Sequence, residues 1–442
     1  MVIGTVIIYL FGITSALYIA HFGFYLIGAC IYDIWQSLRQ RRQVQYMGTH
    51  PYRPQVTVLV PAHNEEKVIV RCLESIFASH YSRLSVIVVN DASTDATRQI
   101  LSTYAKTHRN RPLRIINKRV NGGKATALNY ALRRYVTSEL VMMIDADSLL
   151  TPESLEHAVA YFADPSIAGV SANVQIITQH TVLGMLQKFE HMISYQSKKV
   201  YSIANCDFVI GGVASTYRTR VARAVQFYDT DTQTEDISLS IKIVARGNRS
   251  HRLIYGADVV ALTEPVATFG ALLRQRYRWK YGSIQNLIKH SYLIDAISTR
   301  HTPMLTTYRL PMAVVTEFVL LLLPLTWLYA VYITLAERSP LLIIGAYLLI
   351  TFYTFLTLWY NTYLRRRERL ILSFYVPVMY FVFYIMDIVQ ITAVIRCLLQ
   401  ANRLRRRENT GSRWASPVRL GSELSVAPSF IPRINTARRI HK

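Results

Sequence analysis

Cysteine is scarce and scattered in this chain. Cys30, Cys72, Cys206 and Cys397 are the four present, and their spacing excludes a zinc site or a disulfide framework. They read as buried thiols in a reducing compartment. The twelve histidines contain no H-E-x-x-H or similar ligand spacing. No G-x-x-x-x-G-K run occurs, so a P-loop is excluded. Internal repeats are absent, and so is any basic-aromatic nucleic-acid module, so no nucleic-acid partner is expected. Acidic residues are the minority, 27 against 50 Lys and Arg, for a net charge of +23 over 442 residues. Met1-Val2-Ile3 lacks the basic start of a signal peptide.

What the chain has in abundance is apolar sequence: 51% of residues are hydrophobic, a large share beside so many cations. The apolar residues therefore gather in spans. Val2 to Ile34 is almost uncharged and reads as one tilted membrane helix, followed by Arg39, Arg41 and Arg42. Later runs at Leu310 to Leu335, Leu341 to Tyr363 and Leu370 to Leu399 are each long enough to span. Basic clusters at Arg365 to Arg369 and Arg403 to Arg407 adjoin them, which favours a bilayer with membrane lipids as partners. Three crossings would place Arg403 to Arg407 outside, against the positive-inside rule. Pro377 and Asp387 allow a broken or re-entrant last segment instead. The expected organisation is residues 1–42 as membrane helix and linker, 43–300 as a cytoplasmic domain, 301–400 as a membrane region and 401–442 as a basic tail.

Between the spans, strands and helices alternate. Val56 to Pro61, Leu84 to Val89, Arg114 to Asn117 and Val141 to Ile144 are strands separated by helices, which predicts an α/β domain with a mostly parallel sheet. The last of these strands is wholly apolar, as in a strand buried on both faces, and ends in Asp145-Ala146-Asp147. Carboxylates two apart leave the same side of a strand, at the edge where such sheets bind ligands. Two hard oxygen donors there suit Mg²⁺ or Mn²⁺ with a diphosphate, although D-x-D alone also fits a solvated strand end. Asn64, Glu65, Asp91 and Gly122-Gly123-Lys124 should converge on the same edge. Lys124 suits a phosphate, although Gly-Gly-Lys also fits a plain turn. Thr234-Glu235-Asp236 reads either as a capped helix start or as the carrier of a general base. Ala271 to His290 reads as an interfacial amphipathic helix. Its Gln275-Arg276-Tyr277-Arg278-Trp279 serves either as a membrane anchor or as a clamp on diphosphate and sugar.

In order along the chain, these motifs resemble the processive family-2 glycosyltransferases, the cellulose, chitin, hyaluronan and poly-N-acetylglucosamine synthases. The matching stretches are Val60 to Glu65, Asn90 to Asp95, Gly123-Lys124-Ala125, Asp145-Ala146-Asp147, Thr234-Glu235-Asp236 and Gln275-x-x-Arg278-Trp279. Asn90, where Asp is common, and His63, where an aromatic is usual, depart from the pattern. The resemblance implies a GT-A-like glycosyltransferase domain with flanking transmembrane helices, in a cell membrane. Asn64, Glu65 and Asp91 would hold uridine, Lys124 the diphosphate, and Asp145 and Asp147 the metal-bound UDP. Asp236 would be the base, with Gln275, Arg278 and Trp279 at the donor and acceptor end. Glu264-Pro265 before the Gln275 helix, and Arg413-Trp414-x-Ser416-Pro417, resemble the bacterial poly-β-1,6-N-acetylglucosamine synthases. That implies a UDP-N-acetylglucosamine donor, a growing polysaccharide acceptor and a small membrane accessory subunit. Alternatives are a hyaluronan-, chitin- or cellulose-type polymer, single-sugar transfer to a lipid, or a non-catalytic scaffold.

Overall fold

The computed structural model describes residues 20, 23–39, 52–177, 181–336, 338, 340–361 and 363–402. The first part of the expected N-terminal span and nearly all of the expected basic tail lie outside these. Residues 23–39 form helix α1. The domain then runs β1 (Val56–Ala62), α2 (Ile69–Phe77), β2 (Leu84–Asn90), α3 (Thr97–Thr107), β3 (Leu113–Asn117), α4 (Lys124–Arg134) and β4 (Leu140–Met143). It continues through β5 (Leu149–Leu150), α5 (Ser154–Tyr161), β6 (Ile167–Ile176), α6 (Val182–Ile203), β7 (Ser215–Arg218), α7 (Thr219–Ala224), α8 (Glu235–Ala245), β8 (Arg252–Thr263) and α9 (Phe269–Lys289). After it come α10 (Leu310–Ala336), α11 (Leu341–Trp359), α12 (Arg366–Ser373) and α13 (Val376–Leu399).

Among the described residues the strands form one sheet in the order β3-β2-β1-β4-β7-β6-β8-β5. The half from β3 to β4 is parallel, as the alternation of strands and helices dictates. The other half departs from the mostly parallel expectation: β7 lies antiparallel between β4 and β6, and β5 antiparallel to β8. Both inserted strands are short, four and two residues, so neither carries an alternation that a sequence reading can register. Since β7 opposes both β4 and β6, those two point the same way, and so does β8. The C-terminal ends of β1, β2, β4, β6 and β8 therefore share one edge.

The apolar run of β4 is divided between two cores. Leu140, Met142 and Ile144 pack with Ile69, Leu73 and Leu155 on one face. Val141 and Met143 pack with Leu128, Leu132 and Leu239 on the other. Strand pleating enforces this split, and burial on both faces fixes the register of Asp145 beyond it.

Helix α1 lies on the domain. Tyr32 is fully buried and its hydroxyl donates to Tyr255 O at 2.6 Å, while Asp33 pairs with Lys199 at 2.8 Å. Gly28 permits the approach, because a Cβ there would stand 2.6 Å from Val200 Cγ2. The opposite face carries Ile27, Ile31, Ile34 and Leu38, all exposed and spaced as one helical stripe. Among the described residues two helical stretches, Met304–Ala336 and Val376–Leu399, are long and apolar enough to cross a membrane; α11 is shorter. The expected last run, Leu370 to Leu399, is divided at Phe374 and Tyr375 between α12 and α13, with Pro377 in the first turn of α13, where a missing N–H costs nothing. Cys30 is exposed, which corrects the expectation of four buried thiols.

Candidate active site

The loops after β1 and β2 are bolted together. Asn64 adopts φ 55°, a left-handed conformation that Asn tolerates, and its Oδ1 accepts from Thr94 N at 2.8 Å. The Glu65 N–H donates to Thr97 Oγ1 at 2.9 Å, and Glu65 itself is buried. Asp91 is fully buried and takes the N–H groups of Gly122 (3.1 Å) and Gly123 (2.8 Å) together with the Lys118 ammonium. Asn121 Nδ2 donates to His63 Nε2 at 3.2 Å, which leaves His63 Nδ1–H for Asp91 O at 2.9 Å. Gly123 sits at φ 85°, so glycine is needed there to launch α4 with Lys124 as its first residue. The Asp91 carboxylate thus shapes the loop that aims Lys124.

Lys124 is the centre of an acidic cluster. Its Nζ lies 2.5 Å from Asp145 Oδ1 and 3.6 Å from Glu235 Oε1. A Cβ on Gly212 would stand 3.0 Å from that Nζ and 3.5 Å from Asp236 Oδ2, so Gly212 keeps open the space between them. Burial alone would discharge Lys124, but Asp145, Glu235 and Asp236 raise it instead and hold it cationic. Asp236 is pushed up to about 6 by burial and by Glu235, against the pull of Lys124 and of the Ile237 N–H. Its Oδ1 accepts that N–H at 2.9 Å. Burial drives the Cys72 thiol up, and Asp147, Asp145 and Glu65 add to the shift, so these three carboxylates border one buried sulfur.

Helix α9 holds the acidic loop from outside. Asn286, fully buried, donates to Thr232 Oγ1 at 2.9 Å and to Thr234 O at 3.2 Å. A Cβ on Gly282 would lie only 2.4 Å from Thr234 Oγ1, so the helix touches the loop there. Arg278 and Trp279 lie one turn before Gly282 on the same face, and both are exposed. Replacing Gly282 with Val forces the helix off Thr234. We expect about 1–3 kcal/mol of destabilisation, the usual cost of overpacking, read as a lowered Tm of the purified protein.

Residues 57–225 match the family model described as "Glycosyl transferase family 2". The chain carries a family-2 glycosyltransferase domain. It is 26% identical over 310 residues to a poly-beta-1,6-N-acetyl-D-glucosamine synthase of Staphylococcus epidermidis, covering 70% of this chain and 71% of that protein. A protein of the same name from Staphylococcus aureus (strain COL) is 27% identical over 251 residues, covering 56% of this chain and 59% of that one. In the latter case the match spans less than two thirds of the relative. The fold is similar to that of a mannosyltransferase from Pyrobaculum calidifontis in complex with GDP-Man and Mn2+. There the TM-score is 0.56 at 22% identity, over 88% of this chain and 98% of that one. The fold is therefore GT-A-like.

The family match ends before Thr234, so in this glycosyltransferase the placement of Asp236 and α9 beside Lys124 and Asp145 rests on geometry. Of the residues singled out in the sequence, Lys124 and Asp145 meet directly, and Asp236 adjoins them across the space beside Gly212. Asp147 and Glu65 border Cys72 with Asp145, and Asn64 and Asp91 build the adjoining loops. Gln275, Arg278 and Trp279 stand on α9, before the Gly282–Lys289 stretch that touches the acidic loop. Several neighbours escaped the sequence reading. Arg276 is buried, ion-paired to Glu190, and its guanidinium lies 4.1 Å from the Trp279 ring centroid. Glu235, Gly212 and Lys118 were missed too. Only Arg276 and Glu235 carried a signal, by lying inside motifs already read.

The acidic loop has its own anchor. Asp229 accepts from Lys242 (2.6 Å), Lys289 (2.7 Å) and Ser238 (2.6 Å). Burial alone would raise this carboxyl, but those hydrogen bonds prevail and bring it to about 2. A folded-state value below the unfolded one stabilises above about pH 4, and the gain is lost as pH falls through about 2. The shift corresponds to about 2 kcal/mol. Asp229→Asn should lower Tm at neutral pH and remove this part of the acid dependence.

Proposed function

We propose that this glycosyltransferase is membrane-embedded and polymerises a UDP-sugar, UDP-N-acetylglucosamine, into a β-1,6-linked polysaccharide by an inverting mechanism. The observation that carries the reading is the meeting of Lys124, Asp145 and Asp236 under a helix tied to apolar helices. Lys280 on α9 pairs with Glu317 of α10 at 2.8 Å, and Tyr277 donates to Gln400, just beyond α13, at 2.8 Å. A carboxylate within so apolar a helix marks a functional joint. Exposed Phe318, Leu325 and Leu328 on α10 and the outer stripe of α1 support contact with lipid. The relatives' names support the sugar and the linkage, while the UDP donor and a small membrane accessory subunit rest on the family resemblance.

Asn64, Glu65 and Asp91 border the nucleoside end, and Lys124 meets the diphosphate as a point charge. Asp236 Oδ1 is held by its own helix, which leaves Oδ2, turned toward Gly212, to take the proton of the acceptor hydroxyl. That oxygen attacks the anomeric carbon, the bond to the diphosphate breaks, and UDP leaves with the electron pair. An α-linked donor thereby becomes a β-linked product. Trp279 suits the acceptor sugar face and Arg278 the leaving diphosphate, with Gln275 beside them.

The donor set fits a divalent cation, Mg²⁺ or Mn²⁺. Asp145, Asp147, Glu235 and Asp236 outnumber the Lys124 charge, and a diphosphate adds more negative charge. No group of three or more His, Cys, Asp or Glu that could hold a metal occurs among the described residues, so protein alone does not cage it. That matches ions held by one or two carboxylates and substrate phosphates. Asp145 and Asp147 would hold it, and when bound it supplies charge for the leaving diphosphate.

The experiment is UDP release by the whole protein in nanodiscs with a panel of UDP-sugars, followed by product sizing and linkage analysis. Long β-1,6-linked chains from UDP-N-acetylglucosamine are expected. Products of one sugar on a lipid would remove the polymerase reading.

A further inference from the structure

A cavity of about 250 Å³ opens between α1, the end of β6, α6 and the turn from α11 to α12. None of the nucleotide, metal or base residues named above lines it. It is smaller than the roughly 300–1,000 Å³ of drug-sized ligand sites, which limits the occupant to a short unit. Its cations are answered: Lys199 pairs with Asp33 of the wall at 2.8 Å, and Lys188 with Glu368 behind it at 2.9 Å. No surplus charge remains there to favour a phosphate.

The rest of the wall is neutral and polar. Burial, then the charge of Arg276, brings His191 down to about 4, so the ring is neutral at physiological pH. With Nδ1 directed at Val174 O (3.3 Å), Nε2 is left as an acceptor. Gln175 Nε2 is shielded from solvent and has no hydrogen-bond partner among the described residues. Gln196 and Asn361 add further amides. Tyr195 stacks on Tyr255 with ring centroids 5.2 Å apart, giving the cavity a flat aromatic wall. Amide donors, a neutral imidazole acceptor and an aromatic face are the groups that hold hydroxyls, an acetamido group and the C–H face of a sugar ring.

We propose that this cavity is a second saccharide site, distinct from the donor cleft, that takes a neutral N-acetylated sugar unit. The sugar arrives either free or as part of a glycan chain, and the chemistry recognised is the same. The site does not depend on the donor assignments, and UDP release read in parallel separates the two.

The test uses the whole protein in nanodiscs without metal or UDP-sugar. Diazirine-bearing N-acetylglucosamine, as monomer and as a short β-1,6 oligomer, is photo-crosslinked and mapped by mass spectrometry beside a diazirine phosphatidylglycerol. Label from either sugar is expected on residues 188–199 or 360–363. Labelling by the monomer identifies a free sugar as ligand; labelling by the oligomer alone identifies the chain. Gln175→Leu and Gln196→Leu should each cut that label about tenfold, the effect of losing one buried polar contact, with UDP release retained. Sugar label confined to α9 and the strand-edge loops, cavity label from the lipid probe alone, or label unchanged in both variants would overturn the proposal.

Discussion

Asp236→Asn is expected to slow sugar transfer by about 10²- to 10⁴-fold, the usual contribution of a positioned general base, while UDP affinity changes little. Asn keeps the shape and the contact with the Ile237 N–H but cannot take a proton. The pH profile makes the assignment specific. A base works deprotonated, and burial with Glu235 places this carboxyl at about 6, so the wild-type rate should fall on the acid side below that value. Glu235→Gln removes a neighbouring negative charge, eases deprotonation of Asp236 and should move the acid limb to lower pH. A variant that turns over at the wild-type rate, or an acid limb indifferent to Glu235, would sink the assignment.

Those two carboxylates also show what a sequence conveys. Thr234-Glu235-Asp236 was legible as a motif, yet its geometry was not. Lys124 lies far from Glu235 along the chain, and between them β7 is inserted antiparallel beside β4. That strand, Ser215–Arg218, is too short to announce itself, so the parallel half of the sheet was readable and the mixed half was not. The β4 strand was readable because burial on both faces leaves an unbroken apolar run. On α9 the sequence pointed to Arg278, which is exposed. The buried guanidinium over Trp279 belongs to Arg276, and only packing against Glu190 of α6 distinguishes the two.

The tethers on α9 give the acidic loop a mechanical context. One end of the helix grips Thr234 through Gly282 and Asn286, while Lys280 and Tyr277 reach α10 and the end of α13. A shift of the apolar helices would thus be felt at the loop bearing Asp236, one turn from Trp279.

Removing divalent cations with EDTA should suppress UDP release by about 10³-fold, several kcal/mol of charge stabilisation, with recovery on adding Mn²⁺ or Mg²⁺. The reason lies in the charge balance around Lys124: its one ammonium faces Asp145 at 2.5 Å and Glu235 at 3.6 Å, with Asp236 adjoining. Its single charge, shared among these carboxylates, cannot by itself neutralise the diphosphate it meets. Asp147→Asn keeps the strand end intact, since Asp147 stands beyond the buried Ile144 and Ala146. It removes one hard donor and should raise the metal concentration for half-maximal UDP release by roughly 10- to 100-fold. Asp236→Asn should leave that concentration unchanged, because its carboxylate is assigned to the acceptor proton. Equal metal dependence in all three proteins, or full activity in EDTA, would detach the Asp145-Ala146-Asp147 strand end from metal binding and leave Lys124 to stabilise the leaving UDP alone.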